Sequence, residues 1–330
     1  MSAINIPNTD LKIWDPEYKV IEIVQSLQQT GHARIKMNGE GSDCAQLGLY
    51  QILDAICNKL GYTHDNFTIE SWNQIEQHPK YRIVKKPPLY IPSGQQFARQ
   101  NLLPEKNWNE LKHFGIFIGR STWQRLWMAS HVWNSYKNIA EITYHYDSKE
   151  DYHRGHLSFD ELSYQLGLTC AIDTAADFMR QLPIKNEQVD SYPILTPAHF
   201  AISKLYPNLF VEIICETFLA GNSFYPTEKT WRPLICRTPF LMLGPKNFLS
   251  NLRKLGFKTF SNWWDESYDV DADLDNGQVA IKNIQGTLAQ LSNLSTAELE
   301  GMYIDMQPTL EHNYQTFMNL QESDFGKIWS

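Results

Sequence analysis

Twice in this 330-residue chain a short apolar run is followed by a glycine-containing turn, a helical pattern and a second apolar run. That repeated order constrains the fold more than any other feature. The first unit opens on Ala33-Arg-Ile-Lys-Met37, turns through Asn38-Gly-Glu40-Gly-Ser42-Asp43 and closes on Phe67-Thr-Ile-Glu70. Between them Leu49, Leu53, Ile56, Cys57 and Leu60 recur at helical spacing on one face, and Gly61 supplies the stop. The second unit opens on His113-Phe-Gly-Ile-Phe-Ile118 and turns through Gly119-Arg120-Ser-Thr. It then runs as a helix from Trp123 to Trp133 and closes on Ile139-Ala-Glu-Ile-Thr143. Strand, helix, strand is the building block of a parallel sheet. The expected fold class is therefore α/β, with two doubly wound, Rossmann-like domains facing each other across a cleft. Pro87 to Pro104, with Pro87-Pro88 and Pro92-Ser-Gly94, reads as a connection. The domain boundary is expected near residue 110, and the C-terminal third is expected to be helical, with the last helices crossing back.

Composition removes several classes. A chain of this length can bury two ordinary cores, and 42% hydrophobic with 20% charged residues excludes a disordered chain. The five cysteines are widely spaced and form no Cys-x-x-Cys pair, which suits reduced thiols in a cytoplasm. No signal-peptide pattern opens the chain and no window approaches the ~20 apolar residues of a membrane span. A cytoplasmic protein with no membrane span is expected, and the sequons at Asn66 and Asn293 are then accidental. A net charge of −8 does not favour nucleic acid, yet residues 80–125 hold nine basic residues against Glu105 and Glu110. Something anionic is expected there.

The densest chemistry lies in the second half. Leu209-Phe-Val-Glu-Ile-Ile-Cys215 is apolar enough to be a strand buried on both faces. After the turn Ala220-Gly-Asn-Ser223, Thr227 suits the N-cap of a helix carrying Glu228 and Lys229 in its first turn. Pro239-Phe-Leu-Met-Leu-Gly244 gives the next strand and turn. A positive helix N-terminus beside a lysine can neutralise a phosphate leaving group, and an adjacent carboxylate can accept ribose hydroxyls. An acidic first-turn residue is also common at any helix start.

These segments resemble the donor-domain signature of the α-1,3/4-fucosyltransferase family, in which an apolar strand ends in Phe-Glu-Asn, a Tyr-x-Thr-Glu-Lys follows and a Pro-apolar-Gly strand closes the unit. Here the matching stretches are Phe210 to Phe218, Asn222-Ser223-Phe-Tyr225-Pro-Thr-Glu228-Lys229, and Pro239 to Asn247. The resemblance implies that Tyr225, Glu228 and Lys229 hold a guanosine diphosphate, with Asn222 and Ser223 in the same loop. Glu216 stands at the glutamate of Phe-Glu-Asn, although Cys215 and Thr217 replace its neighbours. Arg120 and Arg125 stand where the family's early arginine helps bind phosphate. The implied arrangement is GT-B, with residues 1–110 as the acceptor-side domain and 111–330 as the donor domain. The implied reaction is inverting transfer from a GDP-fucose-like nucleotide sugar, the co-substrate, to a glycan or other hydroxyl acceptor, with no cofactor and no metal.

Such a reaction needs a proton acceptor on the opposing domain. Asp43 and Glu40 lie in the turn after the first strand, the edge where open sheets bind ligands, with Glu70 and Glu76 as alternatives. Two patterns point instead to a metal. Asp269-Val-Asp271-Ala-Asp273 contains Asp-x-Asp, and His145, Asp147, Asp151, His153 and His156 are ligand types without helical spacing. Two other function classes stay open. One is a DNA-modifying glycosyltransferase, from the basic stretch; the other is a non-catalytic nucleotide- or glycan-binding protein on the same scaffold.

Overall fold

The computed structural model describes residues 4–6, 16–37, 41–101, 105–119, 121–144, 172–186, 196–270 and 277–329. Their elements, in chain order, begin with β1 (Ile4–Ile6), α1 (Pro16–Thr30), β2 (Ala33–Met37), α2 (Leu49–Leu60), β3 (Phe67–Ser71), β4 (Arg82–Lys85) and α3 (Ile91–Gln100). Next come β5 (Lys112–Ile118), α4 (Trp123–Tyr136), β6 (Ala140–Tyr144), α5 (Ile172–Met179), a 3-10 run (Thr196–Asn208) and β7 (Leu209–Cys215). The series ends with α6 (Glu228–Ile235), β8 (Phe240–Leu243), α7 (Phe248–Lys254), α8 (Gln278–Ser292), α9 (Thr296–Asn319) and α10 (Glu322–Trp329). The class is α/β, with two four-stranded sheets whose paired strands are all parallel.

The chain divides into two compact units. The first holds Met1–Pro88, Gly221–Tyr225 and Gln321–Ser330; the second holds Leu89–Ala220 and Pro226–Leu320. In the first unit the strands run in sequence order, β1-β2-β3-β4. Helix α2 lies between two left-handed glycines, Gly48 at φ 71° and Gly61 at φ 74°, so both ends use a conformation that a Cβ disfavours. Its buried face, Leu49, Leu53, Ile56 and Cys57, joins Ile35, Phe67, Ile69 and Tyr81 in one core. The last helix, α10, also belongs here: Trp329 packs on Phe224 at 5.1 Å, and the Trp329 carbonyl accepts from the Lys85 ammonium.

In the second unit the order is β6-β5-β7-β8. Every residue of β7 is buried, as a central parallel strand requires. One group of helices is α4 with α5 and α8; another is α3 with α6 and α9. Trp231 of α6 packs on Phe317 of α9 at 5.3 Å.

The expected connection over 87–104 is corrected by α3, which lies inside it. Pro92 falls at the start of that helix, where its missing N–H is harmless. The helix buries Ile91, Gly94, Gln95 and Ala98, and the Gln95 amide donates to the Phe317 and Leu320 carbonyls, both at 2.9 Å. Those partners tie α3 to α9, so the units divide after Pro88 rather than near residue 110. Among the described residues no helix is long and apolar enough to cross a membrane.

Candidate functional site

The order β6-β5-β7-β8 creates a switch point, because the connections from β5 lead to β6 on one side and on to β7 on the other. Open parallel sheets bind ligands outside the carboxyl ends of the two strands at such a point. Here those ends are Ile118 of β5 and Cys215 of β7, and each strand is followed by a helix start.

After β7 the chain reaches Glu216, 3% exposed, whose carboxylate organises the start of α6. It accepts from the Thr227 N–H at 3.1 Å, the Thr227 hydroxyl at 2.8 Å and the Thr230 hydroxyl at 2.6 Å. Thr227 is the N-cap, its hydroxyl oxygen accepting from the Lys229 N–H at 3.3 Å. The Lys229 ammonium then lies 3.0 Å from that hydroxyl, 3.1 Å from Glu228 and 3.9 Å from Glu216. Two of the expected site residues, Glu228 and Lys229, thus share one helical turn, fixed by a third, the buried carboxylate of Glu216.

After β5 comes Ser121-Thr122 and α4. Ser121 and Thr122 are 1% and 5% exposed, and among the described residues neither hydroxyl has a hydrogen-bond partner. Thr122 is the N-cap of α4 in position but makes no side-chain cap bond. Burial pushes the Cys215 thiol up to about 12, opposed by the positive charges of Arg125 and Lys229. Arg125 and Lys229 lie in the first turns of α4 and α6, the helices that follow β5 and β7. Arg120 lies outside the described residues.

One layer deeper, Glu212 of β7 is buried with Arg232 of α6 at 2.9 Å and receives the Tyr206 hydroxyl. Burial raises the Glu212 carboxyl and the Arg232 guanidinium draws it back. This triad joins strand, helix and 3-10 run, and is structural.

The carboxyl edge of the first sheet is built differently. The Asp43 carboxylate accepts from the main-chain N–H of Ala45 at 2.9 Å, Gln46 at 3.2 Å and Asn222 at 2.7 Å. Asn73 is a hub. Its amide nitrogen donates to the Asn222 carbonyl at 2.9 Å and to Glu76 at 3.2 Å, while its oxygen accepts from the Phe224 N–H at 2.9 Å. The Ser223 hydroxyl donates to the Gly41 carbonyl. Gly41, at φ 88°, is needed there, because a Cβ would come within 2.4 Å of the Tyr225 Cβ. Asn222, Ser223 and Tyr225 are thereby held in the first unit, Tyr225 edge-on to Trp72 at 6.1 Å.

Glu76 is buried and accepts from the Tyr50 hydroxyl at 2.6 Å and the Cys44 N–H at 3.1 Å. Burial, only partly opposed by those bonds, holds its carboxyl above the usual range. Glu70 ends up below it: burial works upward, and the hydrogen bonds and charges of Arg34 and Lys86 prevail. Glu40 lies outside the described residues.

Asn73, Tyr50, Thr230 and Ser121 were not among the expected site residues. Asn73 follows the carboxyl end of β3, and the edge rule that selected Asp43 applies equally to it. The basic stretch 80–125 is largely engaged internally: Lys86 with Glu70, Lys85 and Lys112 with carbonyls, and Lys106 with three oxygens. Among the described residues no group of three His, Cys, Asp or Glu is placed to hold a metal. The histidine cluster at 145–156 and Asp271 to Asp275 lie outside them. Asp269 is half-buried beside the start of α7, accepting from the Ser250 N–H at 3.3 Å.

No protein-family model matches this chain, and no curated protein or solved structure matches it either.

Proposed function

We propose that the chain is a glycosyltransferase whose nucleotide-diphosphate sugar sits at the switch point of the second sheet. The observation that carries this reading is the pair of buried hydroxyls of Ser121 and Thr122 at the start of α4, without a partner among the described residues, with Lys229 in the first turn of α6. A buried hydroxyl without a partner costs about 1–3 kcal/mol, so a ligand that supplies the missing acceptor recovers it. An anion suits the position, because the helices that follow β5 and β7 carry Arg125 and Lys229 in their first turns.

In this reading Ser121, Thr122, Arg125 and Lys229 hold the diphosphate, Glu228 accepts the ribose hydroxyls, and Glu216 is a positioning residue that fixes α6. An acceptor hydroxyl attacks the anomeric carbon from the side opposite the diphosphate. The new C–O bond forms as the bond to the diphosphate oxygen breaks, the electron pair leaves with the diphosphate, and the anomeric centre inverts. Lys229 offsets the charge that develops on the leaving group without a metal. The two α/β units are then the Rossmann-like halves of a GT-B transferase, and a GDP-fucose-like donor is favoured by the resemblance of Tyr225 to Lys229. The proton goes to a carboxylate of the first unit. Both oxygens of Asp43 are engaged by main-chain amides, and those of the buried Glu76 by Tyr50, Cys44 and Asn73.

That engagement also favours a second reading, a nucleotide-binding protein without turnover. Thermal-shift assays with GDP, UDP, CMP and dTDP, with and without EDTA, test the site. A ligand at 100 times its Kd stabilises by about 2.7 kcal/mol. A diphosphate is expected to stabilise whether or not chelator is present, and a chelator-dependent shift points to a bound cation. Binding without donor hydrolysis or transfer selects the second reading. No shift with any of the four removes both.

A further inference from the structure

At the opposite edge of the second sheet is a cavity of about 510 Å³, within the ~300–1,000 Å³ typical of small-molecule sites. Its walls come from four separate elements. Trp108 follows the α3 connection, Tyr206 ends the 3-10 run, Arg237 follows α6, and Tyr303 and Gln307 lie on α9. The floor is Lys106, whose ammonium donates to the Leu209 carbonyl at 2.5 Å, the Tyr206 carbonyl at 2.9 Å and the Thr238 hydroxyl at 2.9 Å. Leu209 opens β7 and Thr238 precedes β8, so this is the amino-terminal edge. Seven residues of β7 separate it from Glu216, about 20 Å away.

Arg237 closes α6, its N–H donating to the Leu234 carbonyl at 3.3 Å while the Thr238 N–H donates to the Pro233 carbonyl at 2.9 Å. It adopts φ 48°, a left-handed conformation that is strained for a residue with a Cβ. It is held there from every side: its carbonyl accepts from the Tyr303 hydroxyl at 3.0 Å, its guanidinium pairs with Glu311 at 2.7 Å and lies 3.6 Å from the Tyr314 ring centre.

We propose that this cavity binds a neutral saccharide, a second glycan site remote from the diphosphate. The rings of Trp108 and Tyr303 meet at 70° with centroids 5.4 Å apart, which leaves no parallel slot for a flat base. The Lys106 ammonium already lies over Tyr303, 5.2 Å from its centroid. That leaves the half-buried indole of Trp108 as the platform on which the C–H face of a pyranose packs. Its rim hydroxyls meet Gln307, Glu105 and Tyr303, polar groups of both donor and acceptor type. Charge is balanced, Lys106 and Arg237 against Glu105 and Glu311, so neither an anion nor a cation is preferred. Burial lowers the Lys106 ammonium to about 7, which weakens the attraction for an anion further.

The test is ligand-observed NMR on the full chain with lactose, maltose, cellobiose and N,N′-diacetylchitobiose, and guanosine as the flat contrast. At least one disaccharide is expected to bind saturably. Affinity should fall about tenfold or more in Trp108→Ala, which removes the platform. It should fall as far in Gln307→Trp, a change at an exposed position that fills the cavity without touching the core. Lys229→Ala should leave this binding unchanged whatever becomes of the donor site, so the two sites fail separately. Absence of binding by all four sugars overturns the proposal. So does binding that survives both cavity variants or disappears with Lys229→Ala, or a Trp108-dependent signal from guanosine alone.

Discussion

The carboxyl edges of the two sheets carry similar residue types and treat them in opposite ways. In the first unit Asp43, Asn73 and Glu76 are each engaged by several partners, and together they hold the segment Gly221–Tyr225 in place. In the second unit Glu216 is engaged in the same manner, yet at the end of the neighbouring strand β5 the hydroxyls of Ser121 and Thr122 are buried with no partner among the described residues. Since unmade hydrogen bonds in the interior are costly, a saturated network marks structure and an unsaturated one marks a place for a ligand. Both edges obey the rule that loops at strand ends carry polar residues; among the described residues only the second leaves hydroxyls unused.

The comparison breaks most visibly at Asn73. Replacing it with Leu leaves the Phe224 N–H, the Asn222 carbonyl and Glu76 each short of a partner, and should cost about 3 kcal/mol. Urea denaturation reads this as a lower midpoint. A change below about 0.5 kcal/mol would mean that the first edge is not the saturated clamp described.

Lys229→Ala should do the reverse, sparing the fold and damaging the ligand. Losing a charge-assisted contact typically costs about 1.5–3 kcal/mol, a roughly 10- to 150-fold loss of diphosphate affinity. Isothermal titration with the nucleotide that gives the thermal shift measures it. Unchanged affinity would remove Lys229 from the site.

Ser121→Ala and Thr122→Val sharpen the contrast further, because stability and binding should move in opposite directions. Each removes a buried hydroxyl without a partner, so the ligand-free protein should gain up to about 1 kcal/mol while donor affinity drops about tenfold. A loss of stability in both would show that these hydroxyls are satisfied in the folded protein.

The smallest effect concerns pH. Glu70 has a carboxyl held below its usual range, so its contribution is present above the ordinary glutamate pKa of ~4.3 and is lost as pH falls through the folded-state value. Glu76 is raised, so its ionisation lowers stability as pH climbs above that ordinary value. Glu70→Gln should flatten the acid limb of the stability curve, and a curve unchanged from the parent would show that Arg34 and Lys86 contribute nothing.

Elements that depend on neighbours in sequence were legible. The apolar run of β7, the stripe of α2 with its stop at Gly61 and the Thr227 cap of α6 follow from spacing and local sterics. Helix α3 was not, because Pro92 and Gly94 signal a loop, and only the Gln95 bonds to the end of α9, more than 200 residues away, show why it is helical. The basic stretch misled for the same reason: Lys106 is a surface residue by type, yet its ammonium is taken up by three oxygens of the fold.

What the sequence determined by itself is therefore the alternation of strands and helices and the placing of Glu216, Glu228 and Lys229 around one helix start. Hydrogen bonds a few residues long and a repeating apolar pattern suffice for that. Tertiary structure alone decided that Asn222 and Ser223 belong to the first unit, that Asp43 serves main-chain amides, and that Ser121 and Thr122 have no partners among the described residues. Those outcomes depend on which polar groups meet across 30 to 180 residues of chain, and the side-chain types do not encode it.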